Sequence, residues 1–272
     1  MTDFRAADGT RLHYTDEGEG LPLVALPGLT RSGRDFDFVA PHLTGIRLIR
    51  PDYRGRGRSD PADPATYNVP AEAVDVIALL DHLHLDRAAI LGTSRGGLIA
   101  MVLGQIAQER ITGIAFNDIG PVVEPEGLDA IRGYLGIPPA AATLEEAARA
   151  RKAALAGFSE VPDSRWLEEA ERLYDVTGEG LALRYDPRLR EAVFGGGAQP
   201  APDLWPLFDA LDGLPLCLIR GETSDILSRA TAEEMARRRP DMIHAEVPGR
   251  GHVPFLDEPE SLAALHAWID LL

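Results

Sequence analysis

The chain has 272 residues, 45% hydrophobic and 26% charged, with 27 Lys and Arg against 43 Asp and Glu for a formal net charge of −16. That length supports one large core, as a single domain or a domain carrying an insertion. The acidic balance argues against nucleic acid or an anionic membrane surface as the main partner.

Cys217 is the single cysteine, which excludes an intramolecular disulfide. No CxxC or His-x-x-x-His spacing suggests a metal. The first residues lack a basic segment followed by an apolar one, and no apolar run approaches a membrane span. Together these readings point to a cytoplasmic protein with no membrane or nucleic-acid partner and no metal.

Residues 3–16 read as a β-hairpin turning at Asp8-Gly9, with His13 on a strand face. Leu21 to Leu26 is a near-continuous apolar run, as expected for a strand buried on both faces. It ends in Pro27-Gly28-Leu29-Thr30, where the glycine allows close backbone approach and leaves the Leu29 N–H free to face a ligand. A further strand, Ile46–Arg50, runs into Asp52-Tyr-Arg-Gly-Arg-Gly-Arg-Ser59. Three alternating arginines there fit either a phosphate-binding loop or a charged structural turn, and we read the turn. A helix over 71–83 follows, with Ala73, Val76, Ile77, Leu80 and Leu83 on one face.

Strand 88–91 then leads through Gly92-Thr-Ser94-Arg-Gly96 into a helix over 97–108. Strand, Gly-x-Ser-x-Gly and helix in that order form a nucleophile elbow. The turn is so sharp that residues flanking the serine need almost no side chain, and the helix N-terminus beneath it favours a developing anion. The pentapeptide by itself also fits a glycine-rich turn with an incidental serine. A strand over 111–116 follows, with Asp118 just beyond it. The alternation of strand and helix predicts a parallel sheet covered by helices on both faces, with ligands bound beyond the carboxyl ends of its strands.

Residues 119–205 break that alternation. They show a capping box at Thr143-x-x-Glu146, helices near 164–175 and 187–194, no strand pattern, and Gly195-Gly-Gly197 with Pro200 and Pro202 near the end. We read them as a helical cap, leaving 1–118 and 206–272 as the core. Apolar faces at Ile131, Tyr134 and Leu135, and at Trp166, Leu173 and Tyr174, are available to line a pocket or to pack on the body. The core resumes with a strand over 214–219 that holds Cys217. Gly221-Glu-Thr-Ser-Asp225, a helix over 231–238 and a strand over 243–247 follow. Gly251-His252 and a final helix over 259–271, with Asp257 as its expected cap, complete the chain.

Ser94, Asp225 and His252 thus fall in order on loops at strand ends. A serine hydroxyl needs a neighbouring base, and that base needs an orienting acid. His252 would take the serine proton and Asp225 would hold the imidazole, with Asp118 as the alternative acid. The backbone N–H groups of Leu29 and Arg95 would bind the oxyanion. The Arg95 side chain is open to two roles, binding a substrate carboxylate or pairing with an acid.

These motifs resemble those of capped α/β-hydrolase-fold serine hydrolases of the esterase and lactonase kind. The resemblance implies an eight-stranded, mostly parallel sheet, a helical cap after the sixth strand and no cofactor. It disfavours branches that place Asp at the nucleophile position, since Ser94 stands there. The expected substrate is a small carboxylic ester or lactone cleaved through an acyl-enzyme. C–C bond hydrolysis of a diketone-type ring-cleavage product, acyl transfer, and a ligand receptor with vestigial activity are alternatives on the same scaffold. A homodimer is left open.

Overall fold

The computed structural model describes residues 2–155, 157–195 and 202–272. In the first part of the chain lie strands β1 (Asp3–Arg5), β2 (Arg11–Glu17), β3 (Leu21–Leu26) and β4 (Ile46–Pro51), then helix α1 (Val69–His82), β5 (Ala88–Thr93), α2 (Arg95–Ile106) and β6 (Ile111–Asn117). The middle part holds α3 (Pro125–Tyr134), α4 (Leu144–Ala154), α5 (Asp163–Leu173), β7 (Tyr174–Thr177), β8 (Gly180–Leu183), α6 (Leu189–Phe194) and α7 (Trp205–Asp209). The last part holds β9 (Leu216–Gly221), α8 (Arg229–Arg238), β10 (Ile243–Val247) and α9 (Pro259–Ile269).

Eight strands form one sheet in the order β1-β2-β4-β3-β5-β6-β9-β10. The pairs β1–β2 and β2–β4 are antiparallel, and from β4 onward every pair is parallel. Successive side chains of a strand point to opposite faces, so the apolar runs feed two cores. Val24, Leu26 and Ile90 pack on one face with α1 and α2, while Leu23, Ala25, Ala89 and Leu91 pack on the other with α9. The near-continuous hydrophobicity of β3 and β5 follows from burial on both sides. Each fully buried Leu or Ile contributes about 1.5–3 kcal/mol relative to exposure.

The N-terminal hairpin, the parallel sheet and most helices match the sequence reading. Three details differ. Residues 119–205 contain a strand pair after all: β7 and β8 form an antiparallel hairpin, too short for a period-2 pattern to stand out. Asp257 does not cap the last helix. Its carboxylate accepts instead from Arg165 Nη1 at 3.1 Å, and Glu258 receives the N–H groups of Phe255 and Leu256. In the Thr143 capping box the hydroxyl accepts from Glu146 N at 3.3 Å, but Glu146 reaches back to the Ala142 N–H. Gly196, Gly197 and Pro200 lie outside the described residues.

Candidate active site

Carboxyl ends of β3, β5, β6 and β9 point to one edge of the sheet, and the loops that leave them meet there. Ser94 sits between β5 and α2 with φ 52° and ψ −115°, a backbone region that only a closely determined turn sustains. The flanking glycines make it feasible. A Cβ on Gly92 would lie 2.6 Å from the Gly96 carbonyl, and one on Gly96 would collide with the Leu26 carbonyl. The Ser94 N–H donates to Asn117 O at 3.0 Å, fixing the elbow to the end of β6.

His252 Nε2 is 2.8 Å from Ser94 Oγ, and His252 Nδ1 is 2.7 Å from Asp118 Oδ2. The acid on the imidazole is therefore Asp118, the alternative in the sequence reading. Asp225 is exposed, and its side chain makes no hydrogen bond among the described residues. The reason lies in the loop that carries it. Gly221 N donates to Asp118 Oδ1 at 2.8 Å and Ser224 Oγ to Asp118 Oδ2 at 2.6 Å. Ser224 also accepts from Ile226 and Leu227 N–H groups, a local turn that sends Asp225 outward. The loop after β9 thus supports the acid rather than supplying it. Asp118 is fully buried, and three donors converge on its two oxygens, as a buried carboxylate requires.

Asn117 is a further supporting residue with no clear motif around it. Its amide donates to Thr93 Oγ1 at 3.1 Å and to Pro254 O at 3.2 Å, tying the elbow to the His252 loop.

On the opposite side, Pro27-Gly28-Leu29 leaves β3. Tyr53 Oη donates to Pro27 O at 3.1 Å and Arg56 Nε to Leu29 O at 3.1 Å. The N–H groups of Leu29 and Arg95 donate to no acceptor among the described residues.

The arginine-rich loop is a structural turn. Arg54 forms two hydrogen bonds to Asp75, at 2.7 and 2.8 Å, and Arg56 pairs with Glu72 at 3.0 Å. Arg95 settles as an acid partner: its Nε donates to Glu72 Oε2 at 2.6 Å and its Nη2 to Tyr67 O at 3.1 Å. Glu72 had no sequence signal, because a glutamate in the first turn of a helix ordinarily faces solvent.

Residues 157–169 hydrogen-bond to the loops at this edge. Ser159 N donates to Gly249 O and Thr223 Oγ1 to Gly157 O, both at 3.0 Å, beside His252. Arg31 Nη2 donates to Glu169 Oε2 on α5 at 2.8 Å. Of the apolar positions noted in the sequence, Leu135 and Trp166 are buried in packing clusters, while Tyr134 is 50% exposed.

A sheet of this order with a serine, histidine and aspartate joined at its carboxyl edge defines an α/β hydrolase. The profile of the alpha/beta hydrolase family matches residues 23–265, and the chain belongs to that family. It is 38% identical to the 3-hydroxybutyrate-oligomer hydrolase of Cupriavidus necator, over 89% of this chain and 85% of that protein. It is 27% identical to the 2-(acetamidomethylene)succinate hydrolase of Mesorhizobium japonicum, over 95% of this chain and 91% of that one. Among solved structures, an α/β hydrolase from Novosphingobium aromaticivorans superposes with a TM-score of 0.92 at 41% identity, covering 99% of this chain and 97% of the other. These relationships establish a hydrolase.

Proposed function

We propose that the protein is a serine carboxylic ester hydrolase acting on short hydroxy-acid esters through an acyl-enzyme. The observation that carries this reading is the continuous chain Ser94 Oγ–His252–Asp118, at 2.8 and 2.7 Å, with the Leu29 and Arg95 N–H groups lacking acceptors among the described residues. The similarity to a hydrolase of 3-hydroxybutyrate oligomers, whose units are joined by ester bonds, supports ester cleavage.

In this mechanism His252 Nε2 takes the Ser94 proton as Oγ attacks the ester carbonyl carbon. The carbonyl oxygen becomes an oxyanion held by the Leu29 and Arg95 N–H groups, each worth about 2.7–4 kcal/mol by comparison with such donors elsewhere. Asp118 keeps Nδ1 protonated and stabilises the imidazolium. The imidazolium then protonates the leaving alkoxide oxygen, and the C–O bond breaks to leave Ser94 acylated. Water enters, gives its proton to His252 and attacks the acyl carbon. A second oxyanion collapses, Ser94 Oγ recovers the proton, and the carboxylic acid leaves. Residues 119–205 would act as the cap that limits what reaches Ser94.

Labelling by a fluorophosphonate probe in the wild type but not in Ser94→Ala tests the nucleophile. Turnover of p-nitrophenyl esters and 3-hydroxybutyrate dimer tests the reaction. Labelling of Ser94 with cleavage of vinylogous diketones but not of esters would move the assignment to C–C hydrolysis. An unlabelled wild type would overturn it.

A further inference from the structure

The loop after β9 holds the His252 loop and Asp118 at once. Ser224 N donates to Gly221 O at 3.0 Å, closing a turn over Gly221–Ser224. From that turn Thr223 N donates to Arg250 O at 2.9 Å, and Thr223 Oγ1 reaches the same carbonyl at 3.0 Å. A Cβ on Gly221 would collide with the Gly251 carbonyl oxygen, so the turn also lies against the residue before His252. Its other side meets Asp118, which leaves β6 with φ 56° and donates from its own N–H to Ile219 O at 2.7 Å. One turn thus sets the loop that carries the histidine against the residue that carries the acid.

The Ser224 hydroxyl has only one direction open to its proton. A hydroxyl has one proton to give and two lone pairs to receive. Ile226 N and Leu227 N donate to Ser224 Oγ at 3.3 and 3.0 Å, which uses both lone pairs. The proton is left for Asp118 Oδ2 at 2.6 Å, within the range of about 2.5–2.7 Å found for hydroxyl bonds to a carboxylate. His252 Nδ1 meets the same oxygen at 2.7 Å, and Gly221 N meets the other at 2.8 Å. Asp118 is fully buried, so these donors stand in for water. Turning the carboxylate about its own bond would break all three bonds together.

We infer that Ser224 is a positioning residue for the reaction: its single proton on Oδ2 keeps the Asp118 carboxylate turned toward Nδ1, so that Nε2 stays free to take the Ser94 proton. This rests on the serine-hydrolase reading and gives one side chain of the loop a part in turnover beyond its packing. Without that proton, only Gly221 would hold the carboxylate from the β9 side. The loss falls on the step in which His252 becomes an imidazolium, and so on kcat rather than KM.

Ser224→Ala removes the proton, Ser224→Thr keeps it, and Ser224→Cys keeps a side chain of similar size with a weak donor. In Ser224→Ala, kcat on a p-nitrophenyl ester and the rate of fluorophosphonate labelling should each fall about tenfold, the worth of one hydrogen bond to a charged group, with KM changed by less than about twofold. Ser224→Thr should restore most of the loss, and Ser224→Cys should lie between. The proton on His252 Nδ1, read by nuclear magnetic resonance, should change its shift in Ser224→Ala and regain it in Ser224→Thr. Rates are taken per folded molecule below each variant's unfolding transition, so lost stability alone moves neither readout. An unchanged rate and resonance in Ser224→Ala, or a loss that threonine does not restore, overturns the assignment. If alanine prevents folding, Ser224→Cys decides by the same two readouts. A wild type that is neither labelled nor active on esters overturns the hydrolase reading, and the resonance then still decides Ser224.

Discussion

Arg95, the residue directly after Ser94, donates from Nε to Glu72 Oε2 across 2.6 Å, and Glu72 is fully buried. The other Glu72 oxygen lies 3.0 Å from Arg56 Nη1, and Arg56 Nε holds the Leu29 carbonyl. One glutamate thus links Arg95 to the arginine that holds the Leu29 carbonyl. Burial pushes the Arg56 guanidinium below its usual pKa, and the Glu72 charge opposes that shift. Glu72→Ala would leave two inward arginines without their counter-ion, a change that typically costs about 3–5 kcal/mol. We expect lower stability in chemical denaturation. We also expect Glu72→Gln to lower kcat with little change in KM, because the oxyanion donors proposed at Leu29 and Arg95 would act mainly in the transition state. An equal rise in KM with intact kcat would place Glu72 in substrate binding instead.

Asp118 and Asp225 make opposite predictions. Asp118 Oδ2 meets His252 at 2.7 Å, so Asp118→Asn should lower kcat by about 10,000-fold by loss of the correct imidazole tautomer. Asp225→Asn should change kcat by less than about twofold, as expected for an exposed substitution. Steady-state kinetics on one ester decides the pair. Comparable losses in both would contradict the geometry.

Gly96 faces the Leu26 carbonyl so closely that a methyl group cannot be added without moving backbone. Gly96→Ala should therefore displace the elbow from β3. The cost should reach about 1–3 kcal/mol, the usual size of an overpacking change. Activity should fall with it, because Ser94 and Leu29 belong to the two displaced segments. Thermal unfolding beside fluorophosphonate labelling rate would measure both losses.

Cys217 is fully buried on β9, and burial pushes its thiol up to about 12. At pH 8 it should stay protonated and out of reach, so the folded protein should not react with an aromatic disulfide reagent. One thiol should appear on denaturation. Rapid reaction of the native protein would show that β9 opens.

Much of this was legible along the chain. Two-sided burial makes β3 and β5 read as apolar runs, and the alternation of strand and helix makes the sheet parallel. Ser94 and His252 could be found because a nucleophile elbow and a glycine-bounded histidine are local patterns. The short β7–β8 hairpin had too few residues for such a pattern.

The sequence alone determined that a serine and a histidine stand at strand ends of one parallel sheet, since backbone propensity and burial period are properties of neighbouring residues. Only the tertiary structure decided which aspartate completes them, and that Glu72 braces the site from α1. Asp118 and Asp225 both follow strands, Asp118 directly after β6 and Asp225 four residues after β9, and the sequence reading preferred Asp225. What separates them is the pairing of β6 between β5 and β9, which brings Asp118 under His252 and makes the Gly221–Ser224 turn a clasp around its carboxylate. Hydrogen bonds across more than a hundred residues of sequence choose the acid, and they exist only after the sheet has closed.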